Sequence, residues 1–209
     1  MKRTDTTGRV PDEIRSDDMA QIEQMAMEID LEPQHARHVR DISLRMFDAM
    51  TGLHGLSRNE RRLLEAAALL HDTGWSTAAK AHHKASRDII MKMNLQGFKE
   101  DEKRMIACIA RYHRKAHPSP THKVYRVLDD TRKKVINKLA AILRLADGLD
   151  RSHCAITQDV RMDREGDLLR IHVKQRRPTK LDIWGAMRKR SLFEEVFRVE
   201  VAVLPDAGN

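Results

Sequence analysis

The stretch Leu69-Leu70-His71-Asp72-Thr73-Gly74 constrains the chain most, because an alanine- and leucine-rich helix there runs out into a His-Asp pair and a glycine. Ser57 with Glu60 three residues later is the reciprocal capping arrangement and predicts the helix start. Gly74 predicts its end. Leu64, Ala67 and His71 recur at the spacing of one helical face, so the His71 imidazole points toward a core. A buried imidazole needs a partner. One isolated pair is ordinarily a core histidine satisfied by hydrogen bonds, so the other polar residues on apolar faces decide the matter.

Residues 1–16 carry only Val10 and Ile14 as aliphatic anchors and read as a flexible N-terminal arm. Ser16 predicts a cap for a helix through Ile29. Pro33 suits the first turn of the next helix, whose stripe Val39, Ile42, Met46, Ala49, Leu53 is headed by His35. His82 and His83 stand at a further helix start, where one of the two can turn inward. A helix from about Lys99 brings His113 inward, four residues beyond Ile109. Residues 116–130, with Pro118 and Pro120, read as an exposed excursion able to cover a site. A long helix over 130–151 places Asp147 on the stripe of Leu139 and Leu143, where a lone carboxylate is costly unless paired or bound to a cation.

Beyond Cys154 the hydrophobic period falls toward two. Val160 and Met162, then Leu169, Ile171 and Val173, predict two strands around Gly166, followed by a helix over 181–196 and a last strand over Val199, Val201 and Val203. The expected fold is therefore mainly α: a helical domain over 17–154, a small C-terminal α+β (ββαβ) appendage over 155–204 and a tail over 205–209. No metal cluster or phosphate loop is read in the appendage.

His35, His71, Asp72, His82, His113 and Asp147 form a set of nitrogen and oxygen ligands without a thiolate, with His83 as the alternative to His82. Such donors suit Mn, Fe or Zn, with Mg also compatible. With Asp72 as a bridge, one ion takes His35, His71 and Asp147 and a second takes His82 and His113. Two ions about 3.5–4 Å apart clamp the attacking and leaving oxygens of a phosphoryl displacement. Lys84, Arg114, Lys115, Arg144, Arg151 and His153 flank these ligands and are the candidate phosphate-binding groups.

His35, the His71-Asp72 pair and Asp147 resemble, in order and context, the H…HD…D signature of HD-domain metal-dependent phosphohydrolases. The histidines at 82 and 113 resemble the dinuclear subgroup, as in HD-type dinucleotide polyphosphate hydrolases and cyclic dinucleotide phosphodiesterases. Ala81-His82-His83-Lys84, Tyr112-His113-Arg114-Lys115 and the run from Lys138 to His153 are similar to the C-terminal HD domain of exopolyphosphatase/guanosine pentaphosphate phosphohydrolase proteins, here expected to stand alone. That resemblance covers nearly everything after residue 16 and implies an HD helical bundle with an inward metal site, with Asp72 as the catalytic ligand. Residues 1–34 are too short for the actin-like domain that carries polyphosphatase activity in those proteins. The expectation is a metal-dependent phosphohydrolase acting on a phosphate ester or anhydride of a nucleotide. The alternative is a non-catalytic HD module that binds polyphosphate or guanosine polyphosphate, or mediates homodimerisation.

Thirty-nine Lys and Arg against 31 Asp and Glu give a formal charge of +8, which favours anionic partners. With 4% aromatic residues there is little on which bases of a nucleic acid can stack, which argues against that partner. Two cysteines without CxxC spacing, no export signal and no membrane-length apolar run predict a cytoplasmic protein.

Overall fold

The structure, a computed structural model, describes residues 12–206. The expected arm therefore lies outside the described residues up to position 11, and its remainder is helical. Helix α1 (Asp12–Ile29) starts four residues before Ser16.

Helix α2 (Pro33–Ala49) opens on Pro33 as expected but ends before Leu53. Met50 leaves helical geometry, Thr51 donates its hydroxyl to Asp48 O, and the chain re-forms as the single turn α3 (Thr51–His54), closed by Gly55 in the left-handed region. Helix α4 (Arg58–Leu70) starts with the predicted capping box of Ser57 and Glu60. It stops at His71, not at Gly74. Gly74 serves a different purpose: a Cβ there would lie 2.4 Å from His82 O and Ser86 N, so its lack of a side chain lets the next helix approach the His-Asp turn.

A short 3₁₀ turn over 79–81 leads to α5 (His82–Lys92), then come α6 (Glu100–Arg111), the one-turn α7 (Lys123–Arg126) and α8 (Asp130–Gly148), capped by Asp129. Buried Tyr125 and Leu128 pin the segment that contains α7, and the Tyr125 hydroxyl donates to Asn137 on α8.

Strands β1 (Thr157–Glu165) and β2 (Leu168–Gln175) form an antiparallel hairpin with Val160 opposite Val173 and Met162 opposite Ile171. Strand β3 (Glu200–Pro205) pairs with β2 in parallel, Ile171 opposite Val203. A parallel neighbour requires a crossover, and here it is two helices instead of the expected one: α9 (Lys180–Lys189) and α10 (Ser191–Phe197). Arg190 sits at the joint and ties it, donating to Met187 O and to Glu194. Both helices pack on α8 and β3, while β1 packs on α2. One hydrophobic cluster runs through bundle and sheet, from Ile22 through Leu64, Ile106 and Leu143 to Ile171, Phe193 and Val203. The fold is mainly α with a small α+β segment. Among the described residues no helix is long and apolar enough to cross a membrane.

Candidate metal centre

Four helix ends deliver four imidazoles to one buried place. His71 follows the last turn of α4, His113 lies just past α6, His82 opens α5 and His35 lies in the first turn of α2. Three of them are fixed in one way, with Nδ1 bonded to the carbonyl three residues earlier: His71 to Ala68 O (2.7 Å), His82 to Ala79 O (2.9 Å) and His113 to Ala110 O (2.6 Å). For His71 and His113 these carbonyls lie at helix C-termini, where they lack a full set of intrahelical donors. A carbonyl only accepts, so Nδ1 carries the proton and Nε2 presents a lone pair. The fourth ring, His35, is held at Nδ1 by Asp150 Oδ2 at 2.8 Å.

The Nε2 atoms face two carboxylates. Asp72 Oδ1 lies 3.2 Å from His82 Nε2 and 3.4 Å from His113 Nε2, and Oδ2 lies 3.6 Å from His71 Nε2 and 4.0 Å from His35 Nε2. Asp147 Oδ1 is 3.4 Å from His35 Nε2. The donors thus fall into two buried triads, His35, His71 and Asp147 beside Asp72, His82 and His113, with the donor atoms of each within 4.8 Å of one another. Asp72 presents one oxygen to each side. His83, the alternative, belongs to neither triad; its ring meets His82 edge-on.

This donor set fits a cation. Nε2 of His35 and His71 and Oδ1 of Asp72 are buried and make no hydrogen bond. Buried lone pairs and carboxylate oxygens facing one another repel unless a positive charge lies among them. Neutral imidazole and carboxylate without thiolate suit Mn, Fe, Zn or Mg. Burial opposes charge on Asp72, yet the surrounding histidines, His71 first, hold its carboxyl down to about 2. Asp147 is held well below the usual carboxylate range despite its burial, chiefly by Lys189 and His35. Burial drives His113 well below the ordinary imidazole value and lowers His82. His35 goes the other way: burial disfavours its charge, but the Asp147 carboxylate facing its Nε2 and the bond from Nδ1 to Asp150 outweigh this and raise it to about 10.

A cavity of about 410 Å³ opens onto Asp72, His82, His113 and Asp147. Its walls include Arg114, Lys115, Arg144, Arg151 and His153, five of the six predicted phosphate-binding positions. Lys84 is the exception. Two residues into α5 it has rotated away from His82, and it is exposed outside the cavity. Arg144 spends Nη1 on Tyr112 O (3.2 Å) and Nη2 on Lys115 O (2.9 Å), so it anchors the turn after α6, where Lys115 takes a left-handed backbone at φ 61°. His153 stacks on His35 at 3.8 Å between centroids and pairs with Glu32. Arg114 Nη1 lies 2.9 Å from His82 Nε2. Residues 116–130 do not line the cavity.

Asp150, Trp75 and the side chains of α9 join the site without having been expected there, although a helix over 181–196 was. Trp75 donates its indole N–H to Asp72 Oδ2 at 3.0 Å and stacks on His82 at 4.5 Å, steadying both. From α9 come Trp184, Gly185, Arg188 and Lys189 to the cavity wall, and the Lys189 ammonium pairs with Asp147. The appendage is therefore part of the site. Only the spacing of Asp150, three residues after Asp147, was a readable signal; nothing in the local pattern marks Lys189. Residues 15–182 match the family model described as Ppx/GppA phosphatase, domain III.

Proposed function

The chain belongs to the Ppx/GppA phosphatase family, and from that membership together with the donor set we propose that it is a metal-dependent phosphohydrolase that cleaves a phosphate ester or anhydride of a nucleotide. The observation that carries this reading is the convergence of four Nε2 atoms and two carboxylates whose opposite ring nitrogens are already bonded.

In this reading His35, His71 and Asp147 would hold one divalent ion, His82 and His113 would hold a second, and Asp72 would contribute to both. Mn, Fe or Zn bound there would supply Lewis acidity and lower the pKa of a water at the site. The chain's own groups do the rest. Asp150 and the three carbonyls fix the imidazole orientations, which raises their value as ligands. Trp75 keeps the Asp72 carboxylate from rotating. Arg114, Lys115 and Arg151 offer cations to phosphate oxygens along the wall. Arg144 holds the 112–115 turn that carries two of them.

A second reading, a non-catalytic module that binds phosphate chains, is favoured by one specific feature. Lys189 on Asp147 and Arg114 on His82 are the protein's own cations placed against two of the donors. The two readings separate in a hydrolysis assay. Protein loaded with Mn²⁺ or Fe²⁺ is given nucleoside triphosphates, dinucleoside polyphosphates and p-nitrophenyl phosphate esters, beside Asp72→Asn treated alike. Metal-dependent turnover lost in Asp72→Asn supports the enzyme. Loaded protein that hydrolyses none of these, and binds them equally well as Asp72→Asn, leaves the binding module.

A further inference from the structure

The chain has two tryptophans, and both line the same cavity. Trp75 is committed, its indole N–H bonded to Asp72 and its ring stacked on His82. Trp184 is different. It is 51% exposed, and its own N–H makes no hydrogen bond among the described residues; its recorded ring partner is Arg188, whose guanidinium carbon lies 4.9 Å from the centroid. A large aromatic ring left half in water on the wall of a polar, cationic cavity has a reason to be there if the ligand brings a flat face to it.

The ring is also held in position. Helices α8 and α9 meet through two glycines: a Cβ on Gly148 would lie 2.6 Å from Ala186 Cα, and one on Gly185 would lie 2.5 Å from Gly148 O and 2.7 Å from Arg151 Cβ. This close approach fixes Trp184, Arg188 and Lys189 relative to the metal ligand Asp147 on α8. Asp182 reinforces it, accepting from the Ser152 backbone N–H at 2.8 Å.

Resting on the hydrolase reading above, we propose that α9 is the base-binding wall of the site: Trp184, backed by Arg188, stacks the nucleobase of a nucleotide whose phosphate chain runs inward past Arg151 and Arg114 toward Asp72. A cavity of about 410 Å³ lies in the range of pockets that enclose small ligands. An inorganic phosphate chain would use the cations and leave Trp184 idle, so the platform makes the ligand a nucleotide and gives it a direction, base outermost.

Equilibrium binding to the full chain, in chelator so that no turnover intervenes, tests this with GTP, ATP and inorganic tripolyphosphate as probes. Wild type is compared with Trp184→Ala and Trp184→Phe, and sedimentation velocity reports their oligomeric state. The expected result is that Trp184→Ala weakens both nucleotides by roughly 5- to 150-fold, the range for one stacked base. Trp184→Phe restores most of that affinity, and tripolyphosphate binding is unchanged. The proposal is overturned if nucleotides and tripolyphosphate bind alike, if Trp184→Ala affects them equally or not at all, or if none of the three binds. It is also overturned if Trp184→Ala alters only the oligomeric state, which would make this face, with exposed Leu181, a protein interface. Because the readout is binding alone, a protein that hydrolyses nothing still answers it, and loss of the nucleotide preference leaves the hydrolase reading standing.

Discussion

Two kinds of buried histidine occupy opposite parts of this bundle. At the α3 turn, His54 is satisfied on both sides: its Nε2–H donates to Phe47 O at 2.8 Å and its Nδ1 accepts the Leu56 N–H at 2.8 Å. At the other site His71, His82 and His113 take their backbone partner at Nδ1, and their Nε2 atoms point toward Asp72, with Arg114 also reaching that of His82. All four are at most 1% exposed, so burial does not distinguish them. The second nitrogen does. A histidine bonded by backbone at both nitrogens is part of the fold, whereas rings whose second nitrogens converge on shared carboxylates are placed to hold a cation.

The sharpest way to break that comparison is to remove the carboxylate that both triads share. Asp72→Ala is expected to lower metal-dependent turnover by about 10³-fold, on the scale of losing a preorganised electrostatic group, and to abolish metal retention, read by elemental analysis. Its metal-free thermal unfolding should fall below wild type, since the change removes a carboxylate that the surrounding histidines favour and leaves the Trp75 indole N–H without its acceptor.

Asp150→Asn reaches the same centre at one remove. It keeps the shape but alters the group that orients His35, so metal affinity is expected to fall by about 10- to 100-fold, measured by competition with a fluorescent chelator. An affinity equal to wild type would mean that His35 is not a ligand.

His54→Phe should do the reverse. It leaves the Leu56 N–H without its acceptor and Phe47 O without a donor, and it is expected to cost about 1–3 kcal/mol of stability in urea unfolding, with metal content unchanged. A drop in metal content would erase the distinction between the two kinds of histidine.

The smallest effect is a pH slope. Burial lowers the His54 imidazole below its ordinary 6.5 in the fold. The unfolded chain therefore binds more protons as pH falls below about 6.5, and stability declines in that direction. A contribution of this sign, at most about 1.4 kcal/mol per pH unit for one group, should be present in wild type between pH 7.5 and 5.5 and reduced in His54→Phe. The slope that remains sums the other depressed histidines, among them His83, which burial and nearby Arg114 push down to about 4, and the opposite contribution of His35, raised to about 10.

Much of the centre was legible because helical periodicity reports direction. His71 on the stripe of Leu64 and Ala67, His113 beyond Ile109 and Asp147 beyond Leu143 all lie where that spacing puts them. Periodicity fails where a helix ends, since each further residue then depends on turn geometry. Gly74 looked like a helix stop but is a close-approach position, and the stripe through Leu53 crosses a break at Met50. Lys84 was placed by sequence proximity to His82, although two helical positions carry a side chain to the far side. The contribution of α9 was illegible for another reason. Its residues reach the site through the packing of Gly148 against Gly185, a tertiary contact that neither segment encodes alone.

Convergence of four imidazoles and two carboxylates on metal is checked by stoichiometry. Untagged protein is dialysed against Mn²⁺, Fe²⁺ or Zn²⁺ and analysed for elements beside Asp72→Ala and His54→Phe. About two ions per chain are expected in wild type and in His54→Phe, with loss in Asp72→Ala. Wild type that retains no metal from any of the three, or that retains as much as Asp72→Ala, would contradict it.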